Sequence, residues 1–565
     1  MLATAPAWQQ TYFLFGKGLG TSAVIAALPI FIFLLLLGVF RKPAWMAGLV
    51  GLCAALALAV GAYGMPVTPA ASAALYGAAF GLFPICWIIY WAIALFRITT
   101  ESGKFAIIRD SIGRLTPDPR LQALLIAFSF GAFLEGAAGF GTPVAIAATM
   151  LSGLGFSAFS ASALCLLANT APVAFGSIGI PVITLAGITG LPLQKLSGDV
   201  AILLSPVALF IPMWLIVGMA GWRAISGIVL PALVAGASFA ITQFVISVFL
   251  GPQLSALLAA IVSMVSLVLL LRLRRYRPAP GQPSTSLAPG ADLRTIGLHH
   301  STTPIPQSAA AVTTRHSARE VLFAWMPYMF LILCVVVWGI TPIHNFLNRG
   351  TVNFAWPGLH NVVVRMPPVS KAPSPYPALF SFNFFTASGT ACMVATFLSA
   401  LYLRVSVSDF LTILVRTTKQ LALPILTIAL VLAVGFLMNY CGATATLGLA
   451  FASSGKMFPF FSPFLGVLGV FLTGSDTSSN ALFGNLQVVT ANRLGLDPVL
   501  MAAANAAGGV MGKMISLQSI AVAAAATALS DEDQGRLFRF TLKHSLILAF
   551  LIGCLAMLYT YGLRL

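Results

Sequence analysis

The chain has 565 residues, of which 59% are hydrophobic and only 8% are charged, and its mean hydropathy is +0.97. This composition excludes a soluble globular protein, because too little polar side chain is present to solvate a globular surface. The net charge of +17 would suit a nucleic-acid-binding protein, but the basic residues cluster between apolar runs instead of alternating with aromatic residues. We interpret them as signals of membrane topology and expect no nucleic-acid partner.

The first apolar run, 22–40, is followed by Arg41 and Lys42, whereas a cleaved signal peptide carries its positive charge ahead of the apolar region. The run is therefore predicted to remain in the protein, with Arg41 and Lys42 in the cytoplasm and the N-terminus outside. Two further spans are predicted to lead to an amphipathic helix on the inner surface: the spans at 44–64 and 71–96, and the helix at 97–120.

Glycines and prolines then interrupt apolar sequence at 121–155. Non-helical backbone at membrane depth is tolerated only where protein or a water-filled cavity covers it. The pattern predicts a re-entrant helical hairpin turning between Gly136 and Pro143, followed by a discontinuous helix at 161–185. The predicted hinges of the broken elements, including a later hairpin, are Gly136, Gly139, Gly141, Gly474 and Gly512.

Three more spans complete a first transmembrane half, 1–271, before a segment of different composition at 272–320. That segment begins with an arginine cluster and is rich in Pro, Ser, Thr and Gly, which predicts a disordered cytoplasmic linker. It also holds His299, His300 and His316, but no Cys or carboxylate stands at ligand spacing. We expect neither a metal site nor a cofactor. The three spans are 201–221, 225–250 and 254–271.

The second transmembrane half, 321–565, repeats this organisation around an outer loop at 341–378. Its elements are predicted as spans at 321–340, 379–403 and 421–440, a re-entrant hairpin at 464–490, a broken helix at 498–526 and a final span at 545–563. The fold class is thus an all-α polytopic membrane protein with about twelve transmembrane helices and two re-entrant hairpins.

An internal duplication links the two halves. The sequence GAFLEG at 131–136 is echoed by GVFLTG at 469–474, and ANTA at 168–171 is echoed by ANAA at 504–507. A glycine follows the first alanine of each ANxA by eight residues, at Gly176 and Gly512. Corresponding broken helices in two halves are typical of inverted-repeat carriers, in which they build a transport site at mid-membrane depth.

Two carboxylates, Glu135 and Asp476, lie deep in apolar sequence, and both fall in the repeated regions. A charged side chain at the bilayer centre costs about 3 kcal/mol, so such a group is normally protonated, paired or open to water. We predict that Glu135 couples transport to protons, with a fixed structural acid as the alternative. Asp476 is the second coupling candidate, although its hydroxyl-rich neighbours favour a structural role.

Lys513 is a lone cation in the second broken helix and would attract an anionic substrate, together with a half-helix N-terminus. The alternatives are a lysine that snorkels to the interface and one that pairs permanently with Asp476. Neighbouring uncharged groups are further candidates for substrate binding: Asn169, Thr170, Ser475, Thr477, Ser478, Asn480, Asn505, Ser516 and Gln518.

Four segments carry a resemblance to the lactate permease family: FLEGAAGFGTPVA at 133–145, ANTAPVAFG at 168–176, GSDTSSNALF at 474–483 and GVMGKMIS at 509–516. The resemblance implies a bacterial inner-membrane carrier of L-lactate, D-lactate and glycolate, coupled to protons and built from inverted repeats with re-entrant hairpins. One departure is Leu517, where the family usually places a proline before the glutamine.

Together these features predict a proton-coupled importer of small 2-hydroxy monocarboxylates. A monoanion that moves with one proton is electroneutral, so the inside-negative membrane potential does not oppose uptake. A sodium-coupled carboxylate transporter and an anion channel remain as alternatives. An enzyme is not expected, since the repeats contain no HExxH or GxSxG motif. The oligomeric state stays open, with a homodimer as one alternative.

Overall fold

The structure, a computed structural model, describes residues 8–113, 115–139, 141–274 and 316–563. Within these residues twelve helical elements are long and apolar enough to cross a membrane, or thirteen if one bent pair is counted as a span. The predicted fold class, an all-α polytopic membrane protein, is confirmed. Most of the predicted linker at 272–320 lies outside the described residues, including His299 and His300.

The first half contains thirteen α-helices in the described residues. Short π-helical stretches extend some of them, so that Pro119–Ala137, for example, runs as one continuous element. The helices are α1 (Leu19–Gly38), α2 (Ala44–Ala57), α3 (Val67–Phe80), α4 (Trp87–Glu101), α5 (Lys104–Gly113), α6 (Pro119–Gln122), α7 (Gly131–Ala137), α8 (Thr142–Gly153), α9 (Ala158–Ala168), α10 (Gly176–Thr189), α11 (Leu193–Ala220), α12 (Val229–Phe249) and α13 (Ser255–Leu273).

The second half contains ten α-helices in the described residues. They are α14 (Ala318–Gly339), α15 (Thr341–Asn348), α16 (Ser388–Tyr402), α17 (Val407–Cys441), α18 (Ala443–Phe451), α19 (Phe458–Thr473), α20 (Asp476–Leu494), α21 (Pro498–Lys513), α22 (Leu517–Thr527) and α23 (Asp531–Met557).

The predicted outer loop contains short strands that the sequence analysis did not anticipate. A short strand at the N-terminus pairs in parallel with one strand of this loop, and the two remaining strand pairs are antiparallel. The strands are β1 (Trp8–Gln9), β2 (Val352–Ala355), β3 (Val363–Arg365), β4 (Ser374–Pro375) and β5 (Leu379–Phe382), paired as β1–β3–β4 and β2–β5.

The predicted span at 379–403 is therefore wrong in its first part. Strand β5 occupies Leu379–Phe382, and the helix begins only at Ser388. Short apolar runs rich in phenylalanine suit a strand as well as a helix, so periodicity alone could not separate them. By contrast, α17 is longer than the predicted span at 421–440. It includes Arg416, whose guanidinium lies 3.2 Å from the Glu101 carboxylate.

Breaks interrupt the helices that carry the duplicated motifs. The first lies between α7 and α8, where Gly139 and Gly141 have φ angles of +62° and +80°. A second separates α9 from α10, which form a pair bent by 67°. Between α19 and α20, Gly474 has a φ angle of +71°. These breaks lie where the sequence predicted them, while the re-entrant hairpins and the inverted relation of the halves stay predictions.

The fourth break is displaced from its expected place. The glycine-rich run of the second broken helix was expected to unwind, but α21 continues through Gly508, Gly509 and Gly512 and ends at Lys513. The physical reason is close packing: a Cβ atom on Gly512 would lie 2.5 Å from the Val467 carbonyl oxygen of α19. The glycines serve helix–helix approach, and α22 begins after a short turn.

The broken elements meet in the interior. Helix α10 packs against α7, α20 and α21, and the 3₁₀ turn Val173–Phe175 just before it contacts α7 and α21. Elements from both halves therefore share one buried region, which contains the residues considered next.

Candidate functional site

Glu135 lies on α7 and is only 4% exposed. Its carboxyl group faces the start of α10, where a Cβ atom on Gly176 would lie 2.7 Å from Oε1. A residue larger than glycine would therefore displace the carboxylate. The other oxygen, Oε2, has no hydrogen-bond partner among the residues that the structure describes. Because buried polar atoms are nearly always paired, this carboxylate has capacity left for a proton, water or ligand.

Asn169 lies at the C-terminal end of α9 with its carboxamide beside the Glu135 carboxyl. The side chain is buried, and neither Oδ1 nor Nδ2 makes a hydrogen bond of normal geometry with any residue that the structure describes. Its donors and acceptor are thus all open in the interior. The neighbouring Thr170 differs, since its hydroxyl donates to the Leu167 carbonyl at 2.6 Å.

The backbone that faces Glu135 has an unusual conformation. Ser177, Ile178 and Gly179 have φ angles of +45°, +60° and +77°. Positive φ is rare for a β-branched residue such as Ile178, and strained backbone of this kind clusters at functional sites. The Ser177 hydroxyl donates to the Ala138 carbonyl at 3.1 Å, which joins this strained turn to the break after α7.

Asp476 begins α20 and is 3% exposed. Its Oδ2 accepts a hydrogen bond of 3.4 Å from Asn480, while Oδ1 has no partner. Gly509 on α21 leaves the space that Oδ1 occupies, since a Cβ atom there would collide with it. Asp476 therefore resembles Glu135: each is a buried acid with one free oxygen.

A continuous amide network extends from Asp476 through α20 and α21 and reaches α10 of the first half. The Asn505 amide donates to Asn480 Oδ1 at 2.9 Å, and Gln487 donates to Asn505 Oδ1 at 3.1 Å. Asn480 also donates to the Pro181 carbonyl of α10 at 3.2 Å. Both polar atoms of the Asn505 carboxamide thus have protein partners, in contrast to those of Asn169.

Lys513 ends α21 and is half-buried. Its ammonium group donates to the Gly474 carbonyl at 2.5 Å and interacts electrostatically with Glu135 and Asp476. Among the described residues, neither carboxylate lies within the 4.0 Å of an ion pair with it. The permanent Lys513–Asp476 pair, one of the alternatives from sequence, is therefore not formed here, and one cation stands between two acids.

The two halves make similar contacts at this site. Ser177 and Lys513 each directly follow a repeated glycine, Gly176 and Gly512. In each half, the side chain that follows the repeated glycine donates to a carbonyl at the neighbouring break. Ser177 was missed in the sequence analysis, although its position directly after Gly176 matches that of Lys513 after Gly512.

The remaining candidate residues lie at the edges of this region. Ser475 accepts from the Ser478 amide at 3.2 Å as the N-cap of α20, and Ser516 caps α22 by accepting from the Ser519 amide at 3.2 Å. Ser478 is buried, Thr477 is half-buried, and Gln518 is exposed and packs against Gly474.

The five predicted hinges divide into two kinds. Gly139, Gly141 and Gly474 have positive φ angles at breaks. Gly136 and Gly512 instead lie within helices, against the backbone of Leu257 and Val467 respectively. The hinge role of all five stays a prediction.

No group of three or more His, Cys, Asp and Glu side chains converges as a metal site in the part of the chain that the structure describes. The polar groups that do converge are Glu135, Asn169, Asp476 and Lys513.

Comparison with known proteins identifies relatives along the whole chain. Residues 22–563 match the family described as L-lactate permease. The glycolate permease GlcA of Escherichia coli (strain K12) is 43% identical over 560 residues, which cover 98% of each chain. The L-lactate permease of the same organism is 43% identical over 562 residues, again covering 98% of each chain.

Among solved structures, the chain is similar to MtrF of Neisseria gonorrhoeae, described as representing a class of antimetabolite efflux pumps. The identity is 11% and the TM-score 0.47, over 94% of this chain and 97% of that chain.

Proposed function

Because this chain belongs to the L-lactate permease family, we propose that it carries lactate, glycolate and similar small 2-hydroxy monocarboxylates across the bacterial inner membrane by proton symport. It is a multi-pass membrane transporter and not an enzyme. The observation that supports the proposal most directly is the buried group of Glu135, Asn169, Asp476 and Lys513, which has more hydrogen-bonding capacity than the protein itself uses.

The substrate binds with its carboxylate on Lys513 in this proposal. One ammonium group matches one carboxylate, and the charge-assisted hydrogen bond would replace the present bond to the Gly474 carbonyl. The 2-hydroxyl group then reaches the open carboxamide of Asn169, which can both donate and accept. A dicarboxylate would bring a second negative charge toward Glu135 and Asp476, so it is disfavoured.

In this proposal, proton coupling arises because the two buried acids and the substrate carboxylate all interact with the same cation, Lys513. Without substrate, the single charge of Lys513 offsets one of the two negative charges that Glu135 and Asp476 carry when both are ionised. When the substrate carboxylate occupies Lys513, the site holds three negative groups and one positive group. Uptake of one proton by Glu135 relieves this excess, so the anion and the proton bind together. Asp476 keeps its bond from Asn480 and stays the secondary candidate.

The transported unit is then neutral, and the proton gradient drives import without opposition from the membrane potential, which otherwise acts with about 2.3 kcal/mol per charge per 100 mV.

We place the N-terminus outside and divide the chain into halves 1–271 and 321–565 around the linker. Alternating access by movement of the hairpin-bearing elements against the outer spans rests on analogy with inverted-repeat carriers.

The decisive experiment is a substrate panel on purified protein in proteoliposomes, with proton and sodium gradients imposed separately. L-lactate, D-lactate and glycolate uptake should saturate and accelerate with an inward proton gradient, while a 2-hydroxy dicarboxylate should compete weakly. Dependence on sodium without dependence on pH would assign a sodium-coupled carboxylate transporter. Flux that neither saturates nor concentrates substrate would assign an anion channel.

Substitution Glu135→Gln should abolish accumulation driven by a proton gradient, because an amide cannot take up the proton. Exchange of external for preloaded lactate should persist, since it needs binding without net proton movement. The matched control is Glu532→Gln, which removes a carboxylate whose side chain is 77% exposed on α23. Wild-type accumulation in Glu135→Gln would return Glu135 to the structural role left open from sequence.

A further inference from the structure

A cavity lies apart from the residues of the proposed transport site. It is a cleft of about 1790 Å³ between α11 and α23, with Phe159 of α9 at its edge. Small-molecule sites typically measure about 300–1,000 Å³, so this cleft is far larger than a hydroxy acid requires. The Trp214 indole donates to His544 Nδ1 at 2.9 Å, which joins its two walls.

The walls of the cleft are apolar along most of their length. On α23 the lining residues Leu548, Leu551 and Leu555 follow one another at helical spacing, and Phe210 and Val217 line the facing side on α11. The groups thus form a channel parallel to two membrane-spanning helices. Such walls suit a hydrocarbon chain, because apolar area buried between the helices is removed from contact with water.

One end of the cleft is basic. Arg536, Arg539 and Lys543 occupy the same face of α23, about one to three turns before the apolar residues. Arg536 is paired with Glu532 at 2.9 Å and with Asp533 at 3.3 Å. Arg539 and Lys543 are exposed and have no hydrogen bond or ion pair with any described residue.

An interfacial aromatic residue marks the same end. Trp222 follows the C-terminus of α11, lines the cleft and is 79% exposed. Tryptophan is enriched at the depth of lipid headgroups, where an amphipathic ring suits both the apolar and the polar side. The basic end of the cleft therefore lies at headgroup depth, with the apolar walls extending toward the bilayer centre.

We propose that this cleft binds an anionic phospholipid, whose phosphate lies on Arg539 and Lys543 and whose acyl chain follows the apolar walls between α11 and α23. Charge complementarity selects the anionic headgroup, since two cations lack acidic partners at headgroup depth. The length of the apolar walls selects a chain-bearing ligand over a free phosphate. This inference is independent of the transported substrate.

The test measures lipid binding to the intact, detergent-purified protein by native mass spectrometry, with phosphatidylglycerol, phosphatidylcholine and glycerol phosphate as probes. Phosphatidylglycerol should bind, and Arg539→Gln/Lys543→Gln should weaken its binding roughly thirty-fold, since each cation near the headgroups contributes about one kcal/mol. Val217→Trp should also weaken binding, because the indole would fill the apolar part of the cleft without changing charge.

The matched control is Arg404→Gln/Lys419→Gln, which removes two exposed positive charges from residues that do not line the cleft. It should bind phosphatidylglycerol as the unmodified protein does. Equal binding of phosphatidylcholine, unchanged affinity in the Arg539/Lys543 double variant, or equal competition by glycerol phosphate would overturn the proposal. A dimer that dissociates in Val217→Trp would also overturn it, by showing that a second copy occupies the cleft.

Discussion

Two asparagines at repeated positions have opposite hydrogen-bonding states. Asn169 has no partner for either polar atom of its carboxamide. Asn505 donates to Asn480 and accepts from Gln487, so its carboxamide joins α20 to α21. The duplicated residue therefore joins two helices in the second half, whereas its counterpart in the first half keeps its hydrogen-bonding groups open. For this reason we propose Asn169, and not Asn505, as the substrate contact.

Substitution of each asparagine by alanine should separate these roles. Asn505→Ala leaves Asn480 Oδ1 buried without a donor and should destabilise the protein by about 1–3 kcal/mol. Asn169→Ala removes no protein hydrogen bond, so its melting temperature should stay near that of the unmodified protein. Its kcat/KM for lactate should fall by about two- to tenfold, as expected for the loss of a hydrogen bond between the carboxamide and the uncharged 2-hydroxyl group, about 0.5–1.5 kcal/mol.

The measurements are thermal unfolding in detergent and initial uptake rates in proteoliposomes on the same preparations. A stable Asn169→Ala protein with unaltered lactate kinetics would remove this residue from the binding site. A large loss of stability in Asn169→Ala would instead indicate a structural partner for its carboxamide.

At the scale of elements, α19 and α21 approach closely because glycines face neighbouring backbone. A Cβ atom on Gly512 would lie 2.5 Å from the Val467 carbonyl and 3.2 Å from the Phe471 amide nitrogen. Backbone atoms cannot move independently of their helices, so any larger residue must separate the two helices. Because Lys513 follows directly, the same packing also fixes the position of the cation.

Gly512→Ala should therefore destabilise the protein by about 1–3 kcal/mol, as overpacking of a filled interior does, and should slow lactate uptake by shifting Lys513. The control is Gly535→Ala on α23, where no atom lies within 4 Å of the added carbon. That substitution should be neutral or stabilising by up to about 1 kcal/mol, since alanine favours helix more than glycine does. Equal melting temperatures for the two variants would contradict the packing argument.

At the scale of the whole molecule, the N-terminal segment contacts the second half. Strand β1 pairs with β3, and the Gln10 amide donates to the Tyr440 carbonyl at 2.8 Å near the end of α17. The Tyr440 hydroxyl in turn donates to the Pro377 carbonyl at 2.7 Å. The first two contacts join the N-terminal segment to the second half, and the third fixes the end of α17 to the loop predicted at 341–378.

Along the chain, the two halves are connected by the segment predicted as a linker. Since its composition lacks an apolar period and it contributes none of the candidate site residues, deletion of residues 280–312 should leave lactate transport unchanged within about twofold. Membrane insertion should be verified first by protease accessibility of the ends, so that a lost activity can be interpreted. A correctly inserted deletion protein that does not transport lactate would refute the linker assignment.

The sequence by itself determined the class of protein and the regions of interest. Apolar runs of spanning length, few charges and the duplicated glycine–asparagine motifs were sufficient, because a bilayer requires long apolar helices and tolerates breaks only where they are covered. The buried acids Glu135 and Asp476 were visible for the same reason: carboxylates are rare at membrane depth.

Tertiary structure alone decided which of these groups are free. Sequence spacing does not reveal that Asn505 has two amide partners while Asn169 has none, since those partners lie on other helices. Sequence spacing also does not reveal that α21 continues through its glycines. Small residues are needed there because the backbone of α19 lies too close for a Cβ atom. Local composition sets where a chain can bend or be buried, whereas contacts between distant segments decide which polar atoms remain available.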